Sequence, residues 1–128
     1  MPKVALVVDD SMLMRYSVCR FLEARGFAVE AATNGTEALD ILARVQPDLI
    51  VTDIKMPKMS GSELIAALKS KPETAKVPIV VITSKANSEC GKGADFAIYK
   101  DIDIETQLEK ALSTIPGMTA ARGKGSSS

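Results

Sequence analysis

Two rhythms of apolar residues alternate along this chain. Short β-branched runs, of the kind that fill a buried strand, are each followed by a stretch in which apolar residues recur at helical spacing. Residues 3–8 predict a first strand, and the stretch after it sets Met14, Val18, Phe21 and Leu22 on one helical stripe until Gly26 stops the helix. Residues 27–32 predict a second strand, Asn34-Gly35 a turn, and residues 36–45 a helix burying Ala38, Leu42 and Val45 up to Pro47. Residues 48–52 form the third predicted strand, after which Ser60 and Glu63 have the spacing of a capping box opening a helix with Leu64, Ile65 and Leu68 on its inner face. A fourth strand over residues 77–83, a glycine-containing stretch and a short strand at residues 96–99 follow. A last helix carries Ile104, Leu108, Ala111, Leu112 and Ile115. Five βα units of this kind build a parallel sheet covered by helices on both faces. The pattern ends at residue 115, so residues 1–115 are expected to form one domain. Residues 116–128, closing in Gly-Lys-Gly-Ser-Ser-Ser, are too poor in apolar groups to pack and are expected to be a flexible tail or linker.

Composition narrows the function. A chain of 128 residues accommodates one core. Sixteen basic residues cancel sixteen acidic ones, which leaves no global positive field for nucleic acid or an anionic membrane. Its longest apolar runs, at 49–51 and 79–82, are far too short to cross a bilayer, and no hydrophobic leader opens the chain, so a cytoplasmic protein is expected. Cys19 and Cys90 lack metal-ligand spacing and are read as reduced thiols. Histidine is absent altogether, which removes Ser-His and Cys-His nucleophiles and the usual zinc ligands. Carboxylates, hydroxyls and lysines must carry any chemistry.

In an open parallel sheet, ligands bind beyond the carboxyl ends of the strands. Here those ends read Asp9-Asp10, Asp53, Thr83-Ser84 and Lys100. Alone, each has an ordinary explanation: a helix cap for the acid pair, a turn for Asp53, a strand-end hydroxyl for Thr83, a solvated side chain for Lys100. Together they bring three carboxylates, a hydroxyl and an ammonium to one rim. Carboxylates so crowded repel one another unless a cation compensates, and a magnesium ion takes one or two carboxylates together with phosphate oxygens. These are the ingredients of phosphoryl transfer to a carboxylate, a nucleophile already ionised at neutral pH. Thr83 can hydrogen-bond a phosphoryl oxygen, and Lys100 can pair with it.

Asp9-Asp10 after an apolar strand, Asp53-Ile-Lys-Met56-Pro57 with Gly61 beyond it, Thr83 and Lys100 resemble the response-regulator receiver domain of two-component signalling, over nearly the whole chain. The resemblance implies a flavodoxin-like, doubly wound (βα)5 fold with strand order 2-1-3-4-5. It implies Asp53 as the phosphoacceptor, and Asp10, Asp53 and the backbone carbonyl of Lys55 as magnesium ligands, with Asp9 acting through water. Thr83 would move toward the transferred group and Lys100 would bridge to it. The expected partners are a sensor histidine kinase or phosphotransfer protein and an unidentified downstream effector, with no direct contact to nucleic acid or membrane. The chain would be a switch, promoting at most its own phosphorylation and dephosphorylation, and no enzyme in the ordinary sense.

Three departures from the family pattern cluster near the C-terminus. Only 100 − 83 = 17 positions separate Thr83 from Lys100, fewer than usual, which together with Gly91 and Gly93 predicts a short or irregular fourth helix. Asp101 follows Lys100 where proline is usual, and Ala97 stands where the family carries a switch aromatic, with Tyr99 on the same side of the strand as a substitute and Phe96 on the other. These departures support an alternative, a pseudo-receiver that binds partners regardless of phosphorylation. A flavodoxin-like cofactor binder fits poorly because the first loop is acidic, and an aspartyl phosphohydrolase fits poorly because the first two acids are adjacent. Met12, Met14 and Met56 are expected to serve packing.

Overall fold

A computed structural model describes residues 3–54, 59–83, 94–100 and 103–115. Strands β1 (Val4–Val8), β2 (Ala28–Ala32), β3 (Leu49–Asp53), β4 (Ile79–Thr83) and β5 (Phe96–Tyr99) alternate with helices α1 (Met12–Glu23), α2 (Gly35–Leu42), α3 (Gly61–Lys69) and α4 (Ile104–Thr114). All strand pairings are parallel, in the order β2-β1-β3-β4-β5. This is the predicted doubly wound arrangement, with the order reversing between β1 and β3. The stretch expected to hold a short fourth helix, with Ser84, Cys90, Gly91 and Gly93, lies outside the described residues, as do Met56, Asp101 and the tail from 116 onward.

Side chains alternating along each strand divide the core into two layers. Ala5, Val7, Leu49, Val51, Val80, Ile82 and Ile98 face α1 and α4, whose Val18, Phe21, Leu22, Leu108, Ala111 and Leu112 close over them. Leu6, Val8, Ile50, Ile79 and Val81 face α2 and α3, against Ala38, Ile41, Leu64, Ile65 and Leu68. β1, β3 and β4 are thus sealed on both faces. β2 is an edge strand with Ala28, Glu30 and Ala31 exposed, so cover on both faces fails there. Among the described residues no helix is long and apolar enough to cross a membrane.

Local signals end the elements where expected. Gly26 adopts a φ of 92°, a conformation that glycine alone takes without strain, and its N–H donates to the Glu23 carbonyl to end α1. Ser60 and Glu63 close the capping box that opens α3. Two expectations need correction. α2 ends at Leu42 and not at Val45, and it buries Gly35, Ala38 and Ile41, while Leu42 and Val45 only rim the core; the line nearest the sheet runs through positions 35, 38 and 41, Leu42 lies at its flank, and Val45 falls beyond the helix end. Met12 does not pack. It begins α1 at 72% exposure beside Leu13 and Tyr16, whereas Met14 lies half-buried against the first layer. Cys19 is a half-buried free thiol, its pKa raised mainly by burial.

Candidate functional site

The adjacency of β1 and β3 sets the first two acids side by side. The pairing Val8↔Thr52 brings Asp9, one residue past β1, next to Asp53 at the end of β3. Carboxylate oxygens of Asp9, Asp10 and Asp53 lie within 4.8 Å of one another, with Asp9 and Asp53 buried and Asp10 exposed. The helix cap expected of the acid pair goes to Ser11 instead, whose hydroxyl accepts from Met14 N–H. Asp10 is thereby left at the rim.

Asp53 is well satisfied. Its Oδ1 accepts the Ile54 N–H at 2.8 Å and its Oδ2 accepts the Lys100 ammonium at 3.1 Å, so two predicted site residues 47 positions apart meet directly. Burial still raises the Asp53 pKa, against the opposing effects of Lys100 and Ile54. The backbone beneath it is held by Gly61, whose N–H donates to the Ile54 carbonyl at 2.7 Å. A Cβ at position 61 would stand 2.1 Å from the Asp53 carbonyl oxygen, so α3 can approach this close only with glycine there. The sequence contained Gly61 but not that reason for it.

Asp9 differs. Its Oδ1 accepts the Ser11 N–H at 2.8 Å, but its buried Oδ2 has no hydrogen-bond partner among the described residues. Burial lifts its pKa to about 6; the Ser11 N–H and Lys100 oppose the rise, and the charges of Asp53 and Asp10 add to it. Arg15, which sequence reasoning missed, donates to the Asp9 carbonyl at 2.8 Å and not to its carboxylate. An orphaned buried oxygen beside two further carboxylates is a donor set that fits a hard divalent cation.

Thr83 is buried at the end of β4, pairs in register with Tyr99 and accepts the Lys100 N–H on its carbonyl at 2.9 Å. It therefore shares the rim with Asp53 and Lys100. Lys55 lies outside the described residues. On β5, Phe96 packs against the first core layer, whereas Ala97 is exposed and Tyr99 half-buried, as strand alternation requires.

Comparison with known proteins points to one family. The family model described as the response regulator receiver domain matches residues 5–113. The response regulator MprA of Mycolicibacterium vanbaalenii is 34% identical over 99% of this chain and 56% of its own length, and MprA of Mycobacterium sp. strain KMS is 41% identical over 86% and 49%. The chain thus spans about half the length of these curated relatives. The structure of the chemotaxis response regulator CheY4 of Vibrio cholerae superposes with a TM-score of 0.81 at 31% identity, covering 90% of this chain and all of that one.

Proposed function

Since the chain belongs to the response-regulator receiver family of two-component signalling, we propose that it is a magnesium-dependent switch that accepts a phosphoryl group on Asp53. The observation that carries this reading is the trio of carboxylates within 4.8 Å, with Lys100 paired to Asp53 and an oxygen of Asp9 without a hydrogen-bond partner among the described residues. Asp10, Asp53 and the Lys55 carbonyl would hold the ion, with Asp9 acting through water. The ion's contribution when bound is to neutralise charge on the carboxylates and on the phosphoryl group in transfer.

This chain's own part begins with an ionised Asp53. One of its oxygens attacks phosphorus as the phosphorus–nitrogen bond of a donor phosphohistidine breaks, and the electron pair leaves with the imidazole. Lys100, already on Asp53, exchanges the carboxylate for an oxygen of the incoming group, and Thr83 donates its hydroxyl to another. Attack by water later breaks the new phosphorus–oxygen bond and restores the acid. While it lasts, the acyl phosphate carries a charge of about −2 where the carboxylate carried −1, and its phosphoryl oxygens are new acceptors at a buried strand end, enough to bias a two-state surface. A sensor histidine kinase or phosphotransfer protein would supply the group, and an effector protein would read the surface, all in the cytoplasm, with the domain ending near residue 115.

Incubation with magnesium and acetyl phosphate, read by intact-mass spectrometry, tests the proposal. The protein gains one phosphoryl group, the gain disappears with excess chelator, and Asp53→Asn gains none. Unmodified wild-type protein that also ignores beryllium fluoride would end this reading in favour of the pseudo-receiver.

A further inference from the structure

We propose that Gln107 is the positioning residue for Lys100, acting through a two-bond clamp on the backbone of Tyr99; this rests on the phosphoacceptor reading above. Among the described residues β5 is the last strand of the sheet and pairs with β4 on one side only. Backbone groups of a strand point alternately to its two sides, so the residue before an inward-bonded N–H turns its own N–H and C=O to the open edge. Lys100 is that inward-bonded residue, its N–H donating to the Thr83 carbonyl at 2.9 Å. Tyr99 accordingly offers an edge donor and an edge acceptor, and Gln107 meets both. The Gln107 Oε1 accepts the Tyr99 N–H at 3.0 Å and its Nε2 donates to the Tyr99 carbonyl at 2.8 Å.

A primary amide is the side-chain group that presents one acceptor and two donors side by side, and here it makes the pair of bonds that a neighbouring strand would make. Its Nε2 also lies 3.3 Å from the carbonyl of Asp103, the N-cap of α4, so the clamp ties the end of β5 to the start of the helix that follows. The peptide leading into Lys100 is thus fixed from both sides, by Thr83 within the sheet and by Gln107 outside it. From that anchor the lysine reaches Asp53 across the rim. A flexible four-carbon side chain holds its charge in place only as well as its backbone is held, and loss of one ångström of registration in such a site is costly. Leucine at position 107 would preserve bulk and helix propensity and remove both bonds.

A double-mutant cycle separates positioning from general support. Gln107→Leu is compared with wild type, and Gln107→Leu/Lys100→Ala with Lys100→Ala, by the rate of phosphoryl uptake from acetyl phosphate with magnesium. The expected result is a loss of about fivefold when Lys100 is present and of less than about 1.5-fold when it is absent. Gln107→Glu, which keeps the acceptor for the Tyr99 N–H and loses the donor, should fall between. A second measurement needs no phosphorylation: NMR of the Lys100 ζ-ammonium should show faster proton exchange with solvent in Gln107→Leu than in wild type. Equal losses in both backgrounds, or unaltered exchange at the ammonium, would overturn the proposal. Faster ammonium exchange in a protein whose wild type takes up no phosphoryl group would uphold the clamp and sink the phosphoacceptor reading.

Discussion

Asp9 and Asp53 end neighbouring strands of one sheet and both are buried, yet their carboxylates are satisfied in opposite ways. Asp53 has a backbone donor, a lysine and a glycine-cushioned backbone behind it. Asp9 has one backbone donor and an oxygen with no hydrogen-bond partner among the described residues. The difference teaches that, among the described residues, the protein itself supplies Asp53 with donors for both oxygens and Asp9 with a donor for only one. A buried carboxylate without a partner is costly, so natural proteins keep one chiefly where a ligand repays it.

The comparison breaks most sharply if the cushioned side loses its cushion. Gly61→Ala drives a methyl group into the Asp53 carbonyl, which should cost about 3 kcal/mol of stability and displace the acceptor carboxylate. Urea unfolding measures the first effect and phosphoryl uptake the second; an alanine variant with wild-type values of both would mean that α3 simply shifts aside.

The open side is read by pH. The folded protein keeps a proton on Asp9 up to about pH 6, whereas the unfolded chain releases it near the ordinary value of 3.8. Stability of the metal-free protein is therefore fully present below about pH 4 as far as this group is concerned, and it declines as pH rises from there through 6, by about 3 kcal/mol in all. Asp53, raised for the same first reason, slopes the same way, and Asp103, lowered by its bonds to Thr106, slopes the other. Asp9→Asn isolates the one contribution: it should flatten the urea-midpoint profile between pH 4 and 7 and diminish the stabilisation conferred by added magnesium. An unchanged profile would show that Asp9 is not the strained acid.

Away from the site, Arg25 pairs with Glu109 across α1 and α4 and stacks on Phe21, on a rim open to solvent. Glu109→Gln should cost less than about 1 kcal/mol and leave phosphoryl uptake unchanged. A larger loss in thermal unfolding would mean that this surface pair matters more than its exposure suggests.

Much of this was legible in the sequence because strands and site obey short-range rules. Unbroken apolar, β-branched runs in residues 4–8, 49–53 and 79–83 gave the buried strands, and parallel topology then made their last residues neighbours, which united Asp9, Asp10, Asp53, Thr83 and Lys100. What escaped depended on geometry between elements. The apolar face of α2 spans Ala38, Ile41, Leu42 and Val45, and which edge of it meets the sheet depends on how the helix docks and where it ends, which spacing alone does not give. Met12 was taken for core because an apolar residue in the first helical turn looks the same whether it faces the sheet or the solvent. Gln107 and Arg15 were overlooked because a polar residue on a helix announces no partner, and theirs are backbone groups on other segments.

The order of the strands also governs when the pocket comes into being. Asp9 and Asp53 are both present once half the chain has emerged from the ribosome, but Lys100 arrives on the last strand, which joins the sheet only at the edge opposite β2. A nascent chain can therefore assemble its acids before it owns the ammonium that offsets them, and closing this long-range pairing is the slow kind of folding step. Assembly of the candidate site thus ends with the fifth strand, so that an interrupted translation product, however well it collapses, would hold the acids of the site and not its lysine.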